Sequence, residues 1–207
     1  MRNSIFRSVL LASVGLLTVT GVWAQANPGP PKQGPVSTDL ALTYTTERGE
    51  QAPGNCGCFW LKGVGLDGGL TFWKGLAVAG SFNNGSITTV SPGAGLSKVQ
   101  FGVGPRYTFT AWTGRDAAFS RRLQLFGQGL IGGAHAYNGV FPGPSGTTNT
   151  AGSLAVQAGG GLNLFFSKSL GVRLVEAEYV RTSLPNNGSN TQNDLRLAFG
   201  VIWHIGR

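Results

Sequence analysis

Two sets of residues between Cys56 and Gly75 have spacings that are associated with chemistry. In the first, Gly63, Gly65 and Gly68 form G-x-G-x-x-G, which cradles a pyrophosphate where a strand leads into a helix. Here the glycines lie inside strand-like alternation, no helical pattern follows, and no acidic residue occurs about 20 residues later. We therefore interpret them as strand residues that let a tightly curved sheet close, and we expect no nucleotide or other cofactor.

The second set is the C-x-C pair of Cys56 and Cys58. Residues two apart in a strand lie about 6.6 Å from each other, which is the upper limit for a relaxed disulfide. A metal site needs three or four ligands, and the chain has only two Cys and two His, so we expect no metal. If the chain is exported, a local disulfide at a loop end is favoured over two free thiols.

Hydrolytic chemistry would need a nucleophile beside a base, such as Ser and His with a carboxylate. His135 and His204 lie near the ends of strand-like runs, and Ser145 lies in the segment VFPGPSGTTNT. The sequence shows no such arrangement, so we expect no catalytic residues.

The chain begins with the features of a secretory signal peptide. Arg2 and Arg7 supply the positive region, Val9 to Val22 is mostly apolar, and Ala24-Gln25-Ala26 is an A-x-A cleavage site. No later stretch approaches 18 consecutive apolar residues, so we do not expect a helical membrane protein. The chain divides into three predicted segments: a signal peptide (1–26), a Pro/Gly-rich linker (27–36) and one folded domain (37–207).

The composition is unusual for a soluble protein. The 207 residues include 34 Gly and only 12% are charged, whereas soluble domains average about 7% Gly and about 25% charged residues. A surface that mostly faces something other than water would account for both. The excess of Lys and Arg suits a surface near anionic lipid headgroups, and an exported chain has little occasion to meet nucleic acid.

After the linker, apolar residues recur with a period of two, and helical periodicity is absent. In the clearest runs, Lys98 to Thr110 and Leu195 to Gly206, large apolar residues alternate mainly with small and polar ones. Six further runs bring the predicted strands to eight: 39–46, 59–72, 76–82, 123–136, 154–166 and 170–182. The face assignments of the fifth and seventh strands are less regular, which indicates bulges.

The connections between these runs alternate in length. Long polar segments follow strands one, three, five and seven: 47–58, 83–97, 137–152 and 183–193. Short segments, 73–75 and 167–169, follow strands two and six, and the segment 111–120 after strand four is a longer exception. This pattern predicts an all-β fold, an eight-stranded antiparallel up-and-down transmembrane β-barrel.

The strands carry more large apolar side chains on one face than a small eight-stranded barrel can hold, so we expect that face to meet lipid. Aromatic residues at strand ends would form interfacial girdles: Trp60, Phe72, Tyr107, Phe109, Phe166 and Trp203. The opposite face would line a narrow polar lumen, where charges must be paired because buried charges are costly. We predict a lumen network of Arg106, Glu176, Glu178 and Arg196, with Arg196 paired to Glu178 or Glu176.

The signal peptide, the eight strands and the closing segment LRLAFGVIWHIGR resemble the small eight-stranded outer-membrane β-barrel family, which includes the OmpA barrel, OmpX and OmpW. The resemblance covers about residues 36–207. It implies an outer-membrane protein of a Gram-negative bacterium with a structural or surface-interaction role, a polar filled lumen and no catalysis. It also implies contacts with membrane lipid and lipopolysaccharide, insertion by the barrel assembly machinery, and an unknown extracellular ligand at the loops.

Two alternative functions remain open. An OmpW-like conduit or binder for small hydrophobic molecules would need an apolar lumen, and the polar residues on the presumed inner faces argue against one: Gln100, Arg106, Gln157, Asn163 and Arg196. A lipid A-modifying barrel enzyme is the other alternative, and the missing nucleophile and base argue against it.

Overall fold

The computed structural model describes residues 36–50, 58–91, 94–116, 119–143, 146–186, 188 and 190–206. The predicted signal peptide and residues 27–35 of the predicted linker lie outside this part of the chain. The described residues form eight strands: β1 (Ser37–Glu50), β2 (Cys58–Trp73), β3 (Leu76–Ser91), β4 (Ala94–Asp116), β5 (Phe119–Gly143), β6 (Gly146–Phe165), β7 (Leu170–Thr182) and β8 (Gln192–Ile205). No helix within the described ranges is long and apolar enough to cross a membrane.

Each strand pairs in antiparallel fashion with the next, and β8 pairs with β1 to close the barrel. The closing seam runs from Thr38 opposite Ile205 to Arg48 opposite Leu195. The predicted all-β, eight-stranded antiparallel up-and-down topology is therefore confirmed. Below, the turn end of the barrel is the end at which β1 begins and β8 finishes, and the hairpin end is the opposite one.

The predicted connection 111–120 is wrong, because strand pairing continues through it. Strand β4 has 23 residues and β5 has 25, and the two stay paired as far as Asp116 opposite Phe119. The register shifts once on the way, between Thr110 and Trp112. The regular alternation of large apolar residues stops before this hairpin ends, so sequence periodicity alone did not reveal its pairing.

The predicted loops 83–97 and 137–152 are also mostly strand. Strand β3 extends to Ser91 and β5 extends to Gly143, and both continue as paired hairpins with the strand that follows. Backbone hydrogen bonding needs no apolar side chains, so strands rich in Gly, Ser, Thr and Asn look like loops in the sequence.

A tight turn joins β2 to β3 within the predicted segment 73–75, but it has only two residues, because Trp73 still belongs to β2. Lys74 and Gly75 both have positive φ, 40° and 90°, which is the signature of a type I′ turn. The Thr108 N–H donates to the Gly75 carbonyl over 2.8 Å and ties the turn to β4. Glycine suits this position because a Cβ there would lie 2.3 Å from the Thr108 carbonyl oxygen.

The two faces of the barrel wall differ as the alternation predicts. Large apolar side chains lie on the outer face, as at Val64 and Phe101, which are both 57% exposed. The inner face carries small and polar residues, and Arg173 and Arg196 are only 1% and 2% exposed. This arrangement is the inverse of a soluble antiparallel barrel, which would bury its apolar face.

Strand β7 contains the bulge that its sequence requires. The register with β8 shifts between Arg173 and Glu176, and the intervening Leu174 and Val175 are both exposed. Strict alternation would send Arg173 and Glu176 to opposite faces, but the extra residue lets both point inward.

The interior of the barrel is layered along its axis. Two small apolar clusters lie near its ends: Ala41, Phe165 and Ile202 near the turn end, and Ala136, Phe141 and Leu184 near the hairpin end. Polar and charged side chains fill the lumen between them. The fold thereby places the chemically interesting residues inside a narrow, walled space.

Candidate functional site: the charged lumen

Charged side chains from five strands meet inside the barrel, and none of them is more than 6% exposed. We call this set the lumen network: Glu47, Asp67, Lys98, Arg106, Arg173, Glu176, Glu178, Asp194 and Arg196. Buried charges cost several kcal/mol each unless they are paired, so the contacts within the network decide whether this interior is stable.

Two arginines share one carboxylate in the half of the network nearer the turn end. Arg106 Nη2 donates to Asp67 Oδ2 over 2.5 Å, and Arg173 Nη1 lies 2.9 Å from Asp67 Oδ1. Both guanidinium carbons also lie near the ring centroid of Phe126, at 5.0 Å for Arg106 and 4.5 Å for Arg173. The ring therefore adds cation–π attraction to the ion pairs.

Arg173 makes two further contacts on this side of the network. Its Nη1 donates to Glu176 Oε2 over 2.6 Å, and its Nε donates to Asn163 Oδ1 over 3.1 Å. The bulge in β7 makes the first contact possible, because it turns Arg173 and Glu176 to the same face.

Gln128 on β5 connects the two halves of the network. Its Oε1 accepts a hydrogen bond from Arg106 Nε over 2.7 Å. Its Nε2 donates to Glu176 Oε1 over 3.0 Å and to Glu178 Oε1 over 2.7 Å. One neutral amide thus supplies donors to two neighbouring carboxylates that would otherwise repel each other.

Arg196 on β8 pairs with carboxylates on both adjoining strands. Its Nε and Nη2 donate to Glu47 Oε2 over 3.0 and 2.9 Å, across the closing seam. Its Nη1 donates to Glu178 Oε2 over 3.1 Å and to Gln157 Oε1 over 3.3 Å. Charge-assisted bonds of this kind are stronger than neutral ones.

Lys98 on β4 ends the network toward the hairpin end. Its Nζ donates to Asp194 Oδ2 over 2.6 Å and also contacts Glu47 Oε1. Because Glu47 also pairs with Arg196, the contacts run unbroken from Arg106 to Lys98. Strands on opposite walls of the barrel are therefore joined through its centre.

The network leaves little open space among the described residues that surround it. A cavity of about 10 Å³ lies against Lys98, Gln100 and Arg196. This is about the space that one water molecule needs. Passage of a solute along the lumen would require the buried ion pairs to separate.

The structure places all four predicted network residues in the lumen but gives them different partners. Arg196 contacts Glu178, which is one of the two partners predicted for it. Glu176, the other predicted partner, contacts Arg173 instead. Arg106 has no direct contact with either glutamate, and Gln128 joins it to both.

Sequence reasoning missed five members of the network: Glu47, Asp67, Lys98, Arg173 and Asp194. Signals for most of them were present. Asp67 and Lys98 occupy the faces that the alternation assigns to the interior. Glu47 continues the inward row of β1 beyond its predicted end, and Asp194 lies two residues before a predicted member on β8.

A second polar group lies at the turn end, beside an open cavity of about 390 Å³. His204 Nδ1 lies 2.7 Å from Asp39 Oδ1, and the His204 ring meets the Phe165 ring edge to face with centroids 6.0 Å apart. The Arg122 guanidinium stacks on the same Phe165 ring at 4.5 Å. Within the described ranges, no three or more His, Cys, Asp or Glu residues are grouped so that they could hold a metal ion.

The six predicted girdle residues all lie on the outer face and are between 38% and 56% exposed. Trp60 lies near the hairpin end of β2. The other five lie toward the turn end: Phe72, Tyr107, Phe109, Phe166 and Trp203. The outer surface therefore carries aromatic residues at two levels.

The G-x-G-x-x-G motif and Cys58 of the C-x-C pair lie in β2. Gly63, Gly65 and Gly68 lie in the middle of this strand, not between a strand and a helix, and a Cβ at Gly63 would lie 1.8 Å from the Asn84 carbonyl oxygen. Cys58 begins the strand, and its Sγ accepts a hydrogen bond from Arg48 Nη2 over 3.5 Å. Cys56 lies outside the described residues, so the disulfide stays a prediction.

Comparisons with known proteins bear on the fold. No protein family and no curated protein matches this chain. Among solved structures, Neisserial surface protein A is 10% identical with a TM-score of 0.56, over 81% of this chain and 96% of that one. The attachment invasion locus protein Ail of Yersinia pestis is 16% identical with a TM-score of 0.51, over 84% of this chain and 99% of that one.

Ail has also been solved in complex with the heparin analogue sucrose octasulfate, and that structure has a TM-score of 0.52, 16% identity, and coverage of 82% of this chain and 99% of that one. At such identities the likeness shows the fold alone. The chain has the fold of the small eight-stranded outer-membrane barrels, and the resemblance seen in the sequence is confirmed at that level.

Proposed function

We propose that this chain is an integral outer-membrane β-barrel of a Gram-negative bacterium with a closed polar lumen, a structural or surface-interaction role and no catalysis. The observation that carries the proposal is the inverted wall, with large apolar side chains outside and a paired charge network inside. Soluble proteins rarely expose so large an apolar surface to water, whereas a barrel that spans a bilayer presents an apolar band to the hydrocarbon core. Cleavage of a signal peptide after Ala26 and insertion by the barrel assembly machinery belong to the same proposal.

The outer face has the height that a membrane span needs. Trp60 and Phe72 lie 12 residues apart on β2. This separation is about 40 Å along the strand and about 30 Å along the barrel axis at the usual tilt. The hydrocarbon core of a bilayer is about 30 Å thick, so the two aromatic levels fit its borders.

The lumen supports a plug in preference to a conduit. A path for small hydrophobic molecules would need an apolar lining, but Gln100, Gln157 and Asn163 are buried inside at 1%, 1% and 3% exposure. A hydrated ion would have to part charge pairs such as Arg196 and Glu178. Both considerations favour a barrel that is filled by its own side chains.

The hairpin end supplies a surface for an extracellular partner. Strands β5 and β6 continue beyond their neighbours as a hairpin whose residues 146–150 are exposed. Ail, a barrel of similar fold, has been solved in complex with the heparin analogue sucrose octasulfate. That complex supports a surface-interaction role for this fold but does not identify the partner of this chain.

Two measurements on the full chain from outer membranes test the proposal. We expect a heat-modifiable shift in gel migration and no stepwise currents in planar lipid bilayers. Absence of the shift together with recovery in the soluble fraction would contradict the membrane assignment, and reproducible channel currents would contradict the closed lumen. Mass spectra of lipid A from cells with and without the protein should agree, because we propose no catalysis.

A further inference from the structure

Among the side chains that the structure describes, the acidic ones are confined to the interior of the barrel, whereas cationic ones occur both inside and outside. All six acidic side chains that the structure describes are buried within the barrel: Asp39, Glu47, Asp67, Glu176, Glu178 and Asp194. Five described cationic side chains are exposed instead: Arg48, Lys62, Lys74, Lys168 and Arg181. The part of the outer surface that the structure describes therefore carries cations and no carboxylates.

Three of these cations gather on one side of the barrel at the hairpin end. We call them the outer cation patch: Arg48 on β1, Lys62 on β2 and Arg181 on β7. Their strands are consecutive around the barrel once β8 is included, and the four strands span about 14 Å. In the β1–β2 register, Arg48 lies opposite Trp60 and Lys62 lies opposite Thr46. The two cations are therefore diagonal neighbours about 7–8 Å apart.

Aromatic and amide side chains accompany the patch. Trp60 is 42% exposed and Tyr179 is 47% exposed on the same face, and Tyr179 Oη lies 2.5 Å from Asn193 Oδ1 on β8. On β3, which borders the patch beside β2, the residues near the same end are the neutral Asn84 and Ser86, and Ser86 lies opposite Lys62. The positive charge is therefore local to the strands around the closing seam.

The patch lies at the border of the apolar band. Lys62 is 10 residues from Phe72 on β2, which is about 25 Å along the barrel axis. Arg181 is 11 residues beyond Leu170, which pairs with Trp203 of the turn-end aromatic level. Outer-face cations are strongly destabilising at the bilayer midplane but tolerated near the interface, where an anionic headgroup attracts them.

We propose that the outer cation patch binds the phosphate groups of lipopolysaccharide in the outer leaflet. The inference rests on the proposed function, since the patch meets that leaflet only if the hairpin end faces outward. Lipid A carries its phosphates on a sugar headgroup at the depth where these side chains project. Arginine donates two N–H groups to one phosphate, lysine adds a mobile point charge, and Trp60 and Tyr179 supply surfaces for the sugar ring and upper acyl chains.

The test is a binding titration of the detergent-solubilised full chain with purified lipid A. The triple variant R48Q/K62Q/R181Q should bind about 100-fold more weakly, the loss expected when three cations leave an anionic surface. The matched control K74Q/K168Q removes two exposed cations of the turn end and should bind like the unaltered chain. Lipid A stripped of its phosphates should bind both the unaltered chain and the triple variant weakly.

Three outcomes would overturn the inference: equal affinity of the triple variant and the unaltered chain, equal losses in the triple variant and the control, or phosphatidylglycerol bound as tightly as lipid A. The last outcome would assign the patch to anionic lipid in general. Gel migration and bilayer currents of the same preparations report on the proposed function separately. A barrel that inserts but fails to prefer lipid A refutes this inference alone.

Discussion

Replacing Arg196 with Met should leave Glu178 without a cation inside the lumen. Arg196 Nη1 lies 3.1 Å from Glu178, whose other hydrogen-bond donor is the neutral amide of Gln128. Glu47, the second carboxylate on Arg196, keeps its contact with Lys98. Removal of one partner from a buried pair costs about 3–5 kcal/mol, so we expect the folding equilibrium to fall by about 100-fold or more.

The two glutamates of β7 provide a matched test of this pairing. Glu176 and Glu178 share a strand and a face, and both are at most 5% exposed, but only Glu178 contacts Arg196. The variant R196M/E178Q removes the unpaired charge and keeps the side-chain shape, so it should recover about half of the loss or more. The variant R196M/E176Q should recover none, because Glu176 is paired with Arg173.

Urea titration of chain refolded into lipid vesicles measures these differences, with tryptophan fluorescence and heat-modifiable migration as independent probes. The control K168M alters an exposed turn lysine and should stay within about 0.5 kcal/mol of the unaltered chain. The lumen pairing is refuted if R196M is as stable as that control, or if E176Q rescues R196M as well as E178Q does.

Four substitutions in and after β2 test the local backbone by the same titration. Gly63→Ala should destabilise the barrel by about 1–3 kcal/mol or more, because the Cβ would lie 1.8 Å from the Asn84 carbonyl oxygen, whereas Gly68→Ala, with no atom nearer than 3.7 Å, should be tolerated. Gly75→Ala should lower the stability of the barrel by about 1–3 kcal/mol, because alanine rarely adopts a φ of 90°. Its Cβ would also lie 2.3 Å from the Thr108 carbonyl oxygen. Lys74→Asn should stabilise by up to about 1 kcal/mol, because asparagine tolerates the φ of 40° better than lysine does, and an unchanged urea midpoint would contradict the turn assignment.

The barrel wall could be predicted from the sequence because its chemistry has a period of two. Along β4, Phe101 and Val103 face outward while Gln100 and Gly102 face inward, and this contrast is present in the letters alone. The turn at Lys74 and Gly75 was predictable for a similar reason, since it interrupts two clear runs. Backbone pairing without that contrast, as in the β4–β5 hairpin that ends at Asp116, gave no such signal.

The pairing inside the lumen could be predicted only in part, because it depends on register and on contacts across the barrel. The β7 bulge places Arg173 and Glu176 on one face, and the sequence indicated a bulge in this strand without giving the partners of either side chain. The contact between Arg173 and Asp67 joins strands that are not neighbours, so no sequence spacing encodes it. Polar alternation showed that the lumen holds charges, whereas the partners required the three-dimensional register.

Arg196 and Glu47 are 149 residues apart in the chain, since they lie on the last and first strands. Their contact cannot form until β1 and β8 meet, so it stabilises the closed barrel and not an open sheet of the same strands. Before closure the two charges would need water or other partners, because an unpaired buried charge is costly. The pair therefore couples the closing of the wall to the removal of water from the lumen charges.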